Sequence, residues 1–194
     1  MRLKNFETMA GIRINLIGAS GSGTSTVGRS LASALSLPHF ESDDYFHATS
    51  DPPFQNPRPA EERFELIRRD LLPDASWVLS GGIGAWSPIP VLEFTCVVFL
   101  YIPTPLRVER LRIREQQRFG DRILNGGDMH KSHDEFIAWA SDYDVGGIEG
   151  KTLAIHEAYL NAQSCRVLEF RDVITVADIT EKVIQSISRS GEKT

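Results

Sequence analysis

The chain has 194 residues, enough for one hydrophobic core of ordinary size, and its 26 acidic and 21 basic side chains give a formal net charge of −5. With 41% hydrophobic and 24% charged residues the composition is that of a globular domain, which excludes a disordered, collagen-like or repeat protein. The acidic balance provides no broad footprint for nucleic acid or an anionic membrane, so any chemistry on phosphates must come from a focused site.

Met1 to Ala10 is charged and lacks the apolar stretch of a leader, and the strongest apolar run, Cys96 to Ile102, is only seven residues. Neither a signal peptide nor a membrane span is expected, and the expected location is the cytoplasm. Ile12, Ile14 and Leu16 alternate with Arg13 and Asn15, which predicts a first strand ending at Gly18. Val27, Leu31 and Leu35 then recur at helical spacing over about 24–35, with Pro38 closing the connection. A short strand is expected around His39 to Ser42, followed by a Pro-rich stretch from Pro52 to Pro59. Phe64, Ile67 and Leu71 form one stripe of a helix over 61–72, and Trp77 to Ser80 is a third strand broken by Gly81 and Gly82. The run from Cys96 has the continuous β-branched and aromatic character of a parallel strand covered on both faces. An Arg-rich helix follows Pro105, then a polar, Gly-punctuated stretch from Gly120 to Gly150. A helix over 153–162, a strand over 167–170 and an amphipathic helix over 179–187 complete the chain. Cys96 and Cys165, without a CxxC or zinc spacing, read as small buried hydrophobes in a reducing compartment, a disulfide being the alternative.

Strands alternating with helices predict βαβ units with right-handed crossovers: a single α/β domain over 1–194, in three layers, with a mainly parallel five-stranded sheet. Ligands of such folds sit beyond the carboxyl ends of the strands. The turn after the first strand reads Gly18-Ala19-Ser20-Gly21-Ser22-Gly23-Thr24-Ser25-Thr26. This is P-loop spacing between a predicted strand and a predicted helix. Its glycines let backbone N–H groups wrap a phosphate chain, and the following helix N-terminus adds a positive dipole end. Ser25 stands where a hydroxyl ligates Mg²⁺, but Thr24 occupies the place of the lysine that normally neutralises transferred phosphate. Three alternatives follow: another cation replaces the lysine, nucleotide binds with little catalysis, or the glycines form a structural turn. A dinucleotide fingerprint is disfavoured by Thr26 at the third glycine position.

With this loop the sequence resembles the nucleotide- and metabolite-kinase branch of P-loop proteins, which includes adenylate, shikimate and gluconate kinases, over about residues 11–185. It is similar in particular to bacterial adenylate-kinase-like proteins with a Gly-Ser-Gly-Thr-Ser-Thr loop. The resemblance implies a P-loop NTPase fold with a helical lid, about 118–150, and ATP with Mg²⁺ as phosphoryl donor. It implies that acidic residues after the second strand hold the metal shell or orient the attacking hydroxyl. In the segment Phe40 to His47 that role falls to Asp44 facing the substrate and Asp43 nearer the metal, unless the pair is a turn or helix cap. Gly81 and Gly82 resemble the glycine-rich segment of shikimate kinases, where bare backbone approaches the acceptor, although the same residues suit a tight turn; Trp86 either walls that pocket or packs. Arg58 and Arg63 are placed to bind an anionic acceptor group.

Arg107, Arg110, Arg114 and Arg118 are spaced by three, four and four and share one helical face, with Arg122 just beyond Gly120. From Arg107 to Arg122 there are six arginines against Glu109, Glu115 and Asp121, a local excess of 6 − 3 = +3 in an acidic chain. The segment resembles the adenylate-kinase helix in which Arg110 would stack on adenine while Arg114 closes over phosphates, and Arg118 and Arg122 would begin a mobile lid that delivers the charge Thr24 lacks. The plain alternative is a solvated basic face. Asp128, His130 and His133 admit a minor metal reading. Asp144 to Gly147 fits DxxG, but without an NKxD partner no GTPase is read from it.

The expected function is transfer of the γ-phosphoryl of ATP to a small-molecule or nucleotide acceptor, with no nucleic-acid or membrane partner. The alternative is a nucleotide-binding regulatory module or pseudokinase, because Thr24 replaces the lysine. The acceptor and the oligomeric state are not readable from the chain.

Overall fold

In the computed structural model, which describes residues 11–73, 76–83, 92–146 and 151–188, the first alternating run forms β1 (Arg13–Gly18), with Ile14, Asn15, Leu16 and Ile17 all buried. α1 (Thr24–Leu35) follows, turning Val27, Leu31 and Ala32 inward, and it ends on Ser36 in the left-handed conformation. β2 (His39–Glu41) stops one residue short of the expected Ser42, because α2 (Ser42–Phe46) begins there. The Pro-rich stretch carries a two-residue antiparallel ladder between β3 (His47–Ala48) and β4 (Asn56–Pro57). Next come α3 (Ala60–Leu71), β5 (Trp77–Ser80) and β6 (Cys96–Leu100). All five residues of β6 are buried, as expected of a strand covered on both faces.

α4 (Thr104–Phe119) starts on Pro103 and has Pro105 in its first turn, where a missing N–H costs nothing. The polar stretch expected beyond Gly120 is more ordered than its composition implies. It contains a 3₁₀ turn over Gly120–Ile123 and a twelve-residue helix, α5 (His130–Ser141). α6 (Leu153–Asn161) is capped by the Thr152 side chain, which accepts from the Ile155 N–H. β7 (Arg166–Phe170) and α7 (Val176–Ser188) finish the described chain. Cys96 and Cys165 are free thiols. No described helix is long and apolar enough to cross a membrane. Trp86 and the glycine of DxxG at 147 lie outside the described residues.

The sheet order is β2-β5-β1-β6-β7, and its four pairings are parallel. One face packs on α1 and α7, where Val27 and Leu31 meet Ile14, Leu16, Val183 and Ile187. On the other face Ile17, Val97 and Phe99 pack with Leu160 of α6, while Trp77 and Leu79 pack with Ile67 and Leu71 of α3. This is the expected three-layer α/β sandwich. Leu31 is fully buried, and its truncation to Ala is expected to cost about 2–5 kcal/mol. Because β1 has β5 on one side and β6 on the other, the chain crosses over in opposite directions from it. The crevice at such a switch point lies at the carboxyl end of β1, where the glycine-rich turn stands.

Candidate active site

The turn is built by close approach. Gly18 closes β1 in register with Leu100, and a Cβ on it would lie 2.5 Å from both the Leu100 carbonyl oxygen and Ser22 Oγ. Gly21 and Gly23 have φ of +83° and +99°, in the left-handed region that favours glycine. Ser22 N–H donates to the Ala19 carbonyl at 3.0 Å, closing the loop, while buried Ser22 Oγ has no hydrogen-bond partner. No side chain caps the first turn of α1. The N–H groups that open the helix at Thr24, Ser25 and Thr26 therefore have no partner within it, and they make the beginning of α1 a donor site for an anion.

The expected metal-side hydroxyl has an acidic neighbour, but it is Glu41 and not Asp43. Ser25 Oγ donates to Glu41 Oε2 at 2.9 Å, and Arg29 reaches Glu41 Oε1 at 3.3 Å. Burial raises the Glu41 pKa above the usual carboxylate value, with the Ser25 bond opposing it. Behind Glu41, His39 Nε2 lies 2.9 Å from Ser80 Oγ, and Ser80 Oγ donates to the Thr24 carbonyl at 3.1 Å. This latch explains a glycine inside α1. A Cβ at Gly28 would stand 2.1 Å from Ser80 Oγ and 2.7 Å from His39 Nε2. Burial lowers the His39 pKa, which favours the neutral ring beside the loop.

Asp43 and Asp44 are exposed in the first turn of α2, where their charge favours the helix N-terminus. Asp44, Glu41, His39, Tyr45 and Arg58 line one cavity of about 270 Å³ between β2, α2 and α3. Arg58 is anchored there by its backbone N–H on the Phe46 carbonyl and by its guanidinium on Glu62 at 3.5 Å. Arg63 lies over the Phe46 ring at 4.6 Å. Asp43 is not among the residues lining this cavity. Nor are the two glycines: at Gly81, φ +97°, the space a Cβ would need is taken by Ser42, whose Oγ would be 1.9 Å away. Gly81 thus has the positive φ and the close neighbour of a tight turn, and Gly82 faces His156 Nε2 at 3.9 Å from its ideal Cβ.

The arginine stripe divides. Arg107 is fully buried, contrary to its place on a phosphate-facing stripe, because the first half of α4 packs beneath the loop and against α5; Gly21 sits so close that its Cβ would lie 2.8 Å from the Arg107 carbonyl oxygen. Arg110 is exposed, and Arg114 pairs with Glu115 at 2.8 Å. Arg118 is exposed with its guanidinium 5.8 Å from the Phe54 ring centre. Arg122 bonds to Asp51 and Asp128, each at 2.7 Å, joining the 3₁₀ turn to the Pro-rich segment. Asp128 is thus committed to Arg122, and His130 Nδ1 contacts the Ile123 carbonyl. No group of three potential metal ligands occurs among the described residues, so the Asp128, His130 and His133 reading is not supported.

Glu41, His39 and Ser80 carry most of the polar geometry around Ser25 and α1, and the sequence reading assigned none of them. The available signal was positional: Glu41 is the last residue of a strand whose carboxyl end points at the loop.

No family model matches the chain. The Bacillus subtilis (strain 168) protein "Uncharacterized protein YqaC" is 38% identical over 175 residues, covering 90% of this chain and 97% of that one. Among solved structures, similar folds are those of a shikimate kinase from Acinetobacter baumannii in complex with shikimate (TM-score 0.50, 20% identity, 93% and 96% of the two chains) and a gluconokinase from Sinorhizobium meliloti 1021 (0.51, 18%, 95% and 96%). A third is a deoxyadenosine kinase from M. mycoides with dCMP and dCDP bound (0.51, 12%, 92% and 99%). At these identities the likeness is one of fold: the chain has the P-loop kinase-like fold.

Proposed function

This chain belongs to the family of the Bacillus subtilis protein YqaC, and on that premise and its kinase-like fold we propose that it is a phosphotransferase, moving the γ-phosphoryl of ATP to a small-molecule or nucleotide acceptor. The observation that carries the reading is the glycine-built turn at the switch point of the sheet, with an uncapped helix start and Ser25 bonded to the half-buried carboxylate of Glu41. The phosphate chain lies over Gly18, Ala19, Ser20, Gly21, Ser22, Gly23, Thr24, Ser25 and Thr26, with backbone N–H groups as its donors.

Ser25 and Glu41 are hard oxygen donors already in contact, and they suit Mg²⁺ better than the exposed Asp43 does. When bound, the ion supplies charge neutralisation at the phosphates. Asp44 lies on the same cavity as Arg58, and in this reading it accepts the proton of the attacking hydroxyl while Arg58 holds an anionic group of the acceptor. Arg110 and Arg114 hold the nucleotide, and Arg118 supplies the positive charge that Thr24 cannot. Arg122 braces the segment about 118–150 against the Pro-rich stretch through Asp51.

Calorimetric titration with ADP and Mg²⁺ tests the reading. One site per chain whose affinity falls when Mg²⁺ is removed is expected, and an absence of binding of both ADP and ATP would overturn it.

A further inference from the structure

Arg107 stands apart from the other arginines of α4. It is 0% exposed, and its hydrogen bonds all run to neutral acceptors: Nε to the Ile102 carbonyl at 2.9 Å, Nη1 to the Ser20 and Ala140 carbonyls at 3.2 Å each, and Nη2 to Thr104 Oγ1 at 2.6 Å. Its guanidinium lies 4.9 Å from the centre of the Tyr143 ring. The nearest acid in this chain of bonds is one step removed, since Thr104 Oγ1 donates in turn to Asp144 at 2.5 Å. Burial accordingly disfavours the charged form, although a guanidinium stays protonated. An apolar side chain of similar volume would fill the same space without desolvating a cation, so packing alone does not account for an arginine here.

Its partners do account for it. Ser20 belongs to the phosphate loop, Ile102 follows β6, and Ala140 is in the last turn of α5. One planar fork thus joins α5 to the two segments that follow the paired strands β1 and β6. In a trans peptide the N–H points opposite to the C=O, so holding the Ser20 carbonyl on Arg107 turns the Gly21 N–H away from the interior. The fork also makes the orientation of the loop depend on where α5 sits.

We propose that Arg107 is a positioning residue that sets the phosphate loop and couples it mechanically to α5, so that occupancy of the loop and placement of α5 are linked. The linkage to occupancy rests on the nucleotide reading above, whereas the tie itself does not. Lysine retains the charge but makes one point contact in place of a fork, and it is expected not to substitute.

Hydrogen exchange of the whole chain, read by mass spectrometry with and without ADP and Mg²⁺, tests the coupling. In Arg107→Lys without nucleotide, exchange rises together in residues 19–22 and 137–143, by about tenfold for the loss of one to two net hydrogen bonds, while the strands keep their protection. In the wild type ADP slows exchange in both segments; in the variant it slows the loop alone. A rise in only one segment, or a variant whose α5 responds to ADP as the wild type does, overturns the proposal. If ADP fails to bind the wild type, the nucleotide reading falls, and the nucleotide-free comparison still decides the tie: joint loosening supports it and unchanged exchange contradicts it. Should Arg107→Lys not fold, Thr104→Val removes one arm of the fork, and the same joint pattern is expected at about threefold.

Discussion

The loop after β1 and the helical arm beyond Arg110, the two regions to which the proposed function gives the phosphate, are built in opposite ways. The loop is made of backbone: Gly18 and Gly21 are forced by contacts of 2.5–2.8 Å and Gly23 by a φ of +99°, and its lysine position holds an uncharged threonine. The arm is made of charge. Arg114 and Arg122 are paired with acids, while Arg118 is exposed over an aromatic ring. Backbone shape is therefore fixed where charge is absent, and charge is carried by side chains in the arm. In the proposed function a site divided in this way would bind through the loop and react only when the arm contributes.

That division gives an ordered set of expectations. Arg118→Ala should have the largest effect, lowering kcat by about 10³ in an ATP-dependent assay while the ADP Kd moves by less than about threefold. Equal losses in rate and affinity would erase the distinction between the two regions. Gly18→Ala should do the converse. Its Cβ meets the Leu100 backbone, so ADP affinity is expected to fall by about 100-fold and stability by about 2 kcal/mol, read by calorimetry and thermal melting. Unchanged affinity would mean that phosphate does not depend on the shape of this loop.

Glu41→Gln keeps the shape of the side chain and removes the charge next to Ser25. About tenfold more Mg²⁺ should then be needed for half-maximal nucleotide binding, whereas Asp43→Asn should leave that requirement unchanged. The reverse pattern would return the metal role to Asp43. The smallest effect belongs to Asp51→Asn, which removes one of the two carboxylates holding Arg122; a solvent-screened exposed pair contributes little, so changes in rate should stay within about fivefold.

Much of the fold was legible in the residues because its signals are periodic. The alternation at Ile12 to Leu16, the stripe Val27, Leu31, Leu35 and the continuous run from Cys96 each became the expected element. α5 was not legible. Its inward residues are few, chiefly Ile137 and Ala140, and glycines and polar residues precede it, so its stability comes from packing on Val108 and Leu111 of α4. The ladder β3–β4 has two residues per strand, too few for any period.

At the site, the loop was legible because glycine spacing is a backbone requirement written directly in the sequence. Glu41 was not, since two aspartates nearby drew the assignment and the strand-to-helix boundary at Ser42 decides which acid faces Ser25. The stripe from Arg107 to Arg118 obeys helical geometry, yet a helix that runs from beneath the loop into solvent gives one face two environments.

The central claim is that this loop and arm together transfer a phosphoryl group. The most direct measurement follows labelled γ-phosphoryl from ATP, with Mg²⁺, onto a panel of nucleoside monophosphates and small hydroxy acids. The account predicts label on one acceptor class, lost in Arg118→Ala and in Asp44→Asn. ATP that binds at the loop and is returned intact with every acceptor would contradict it.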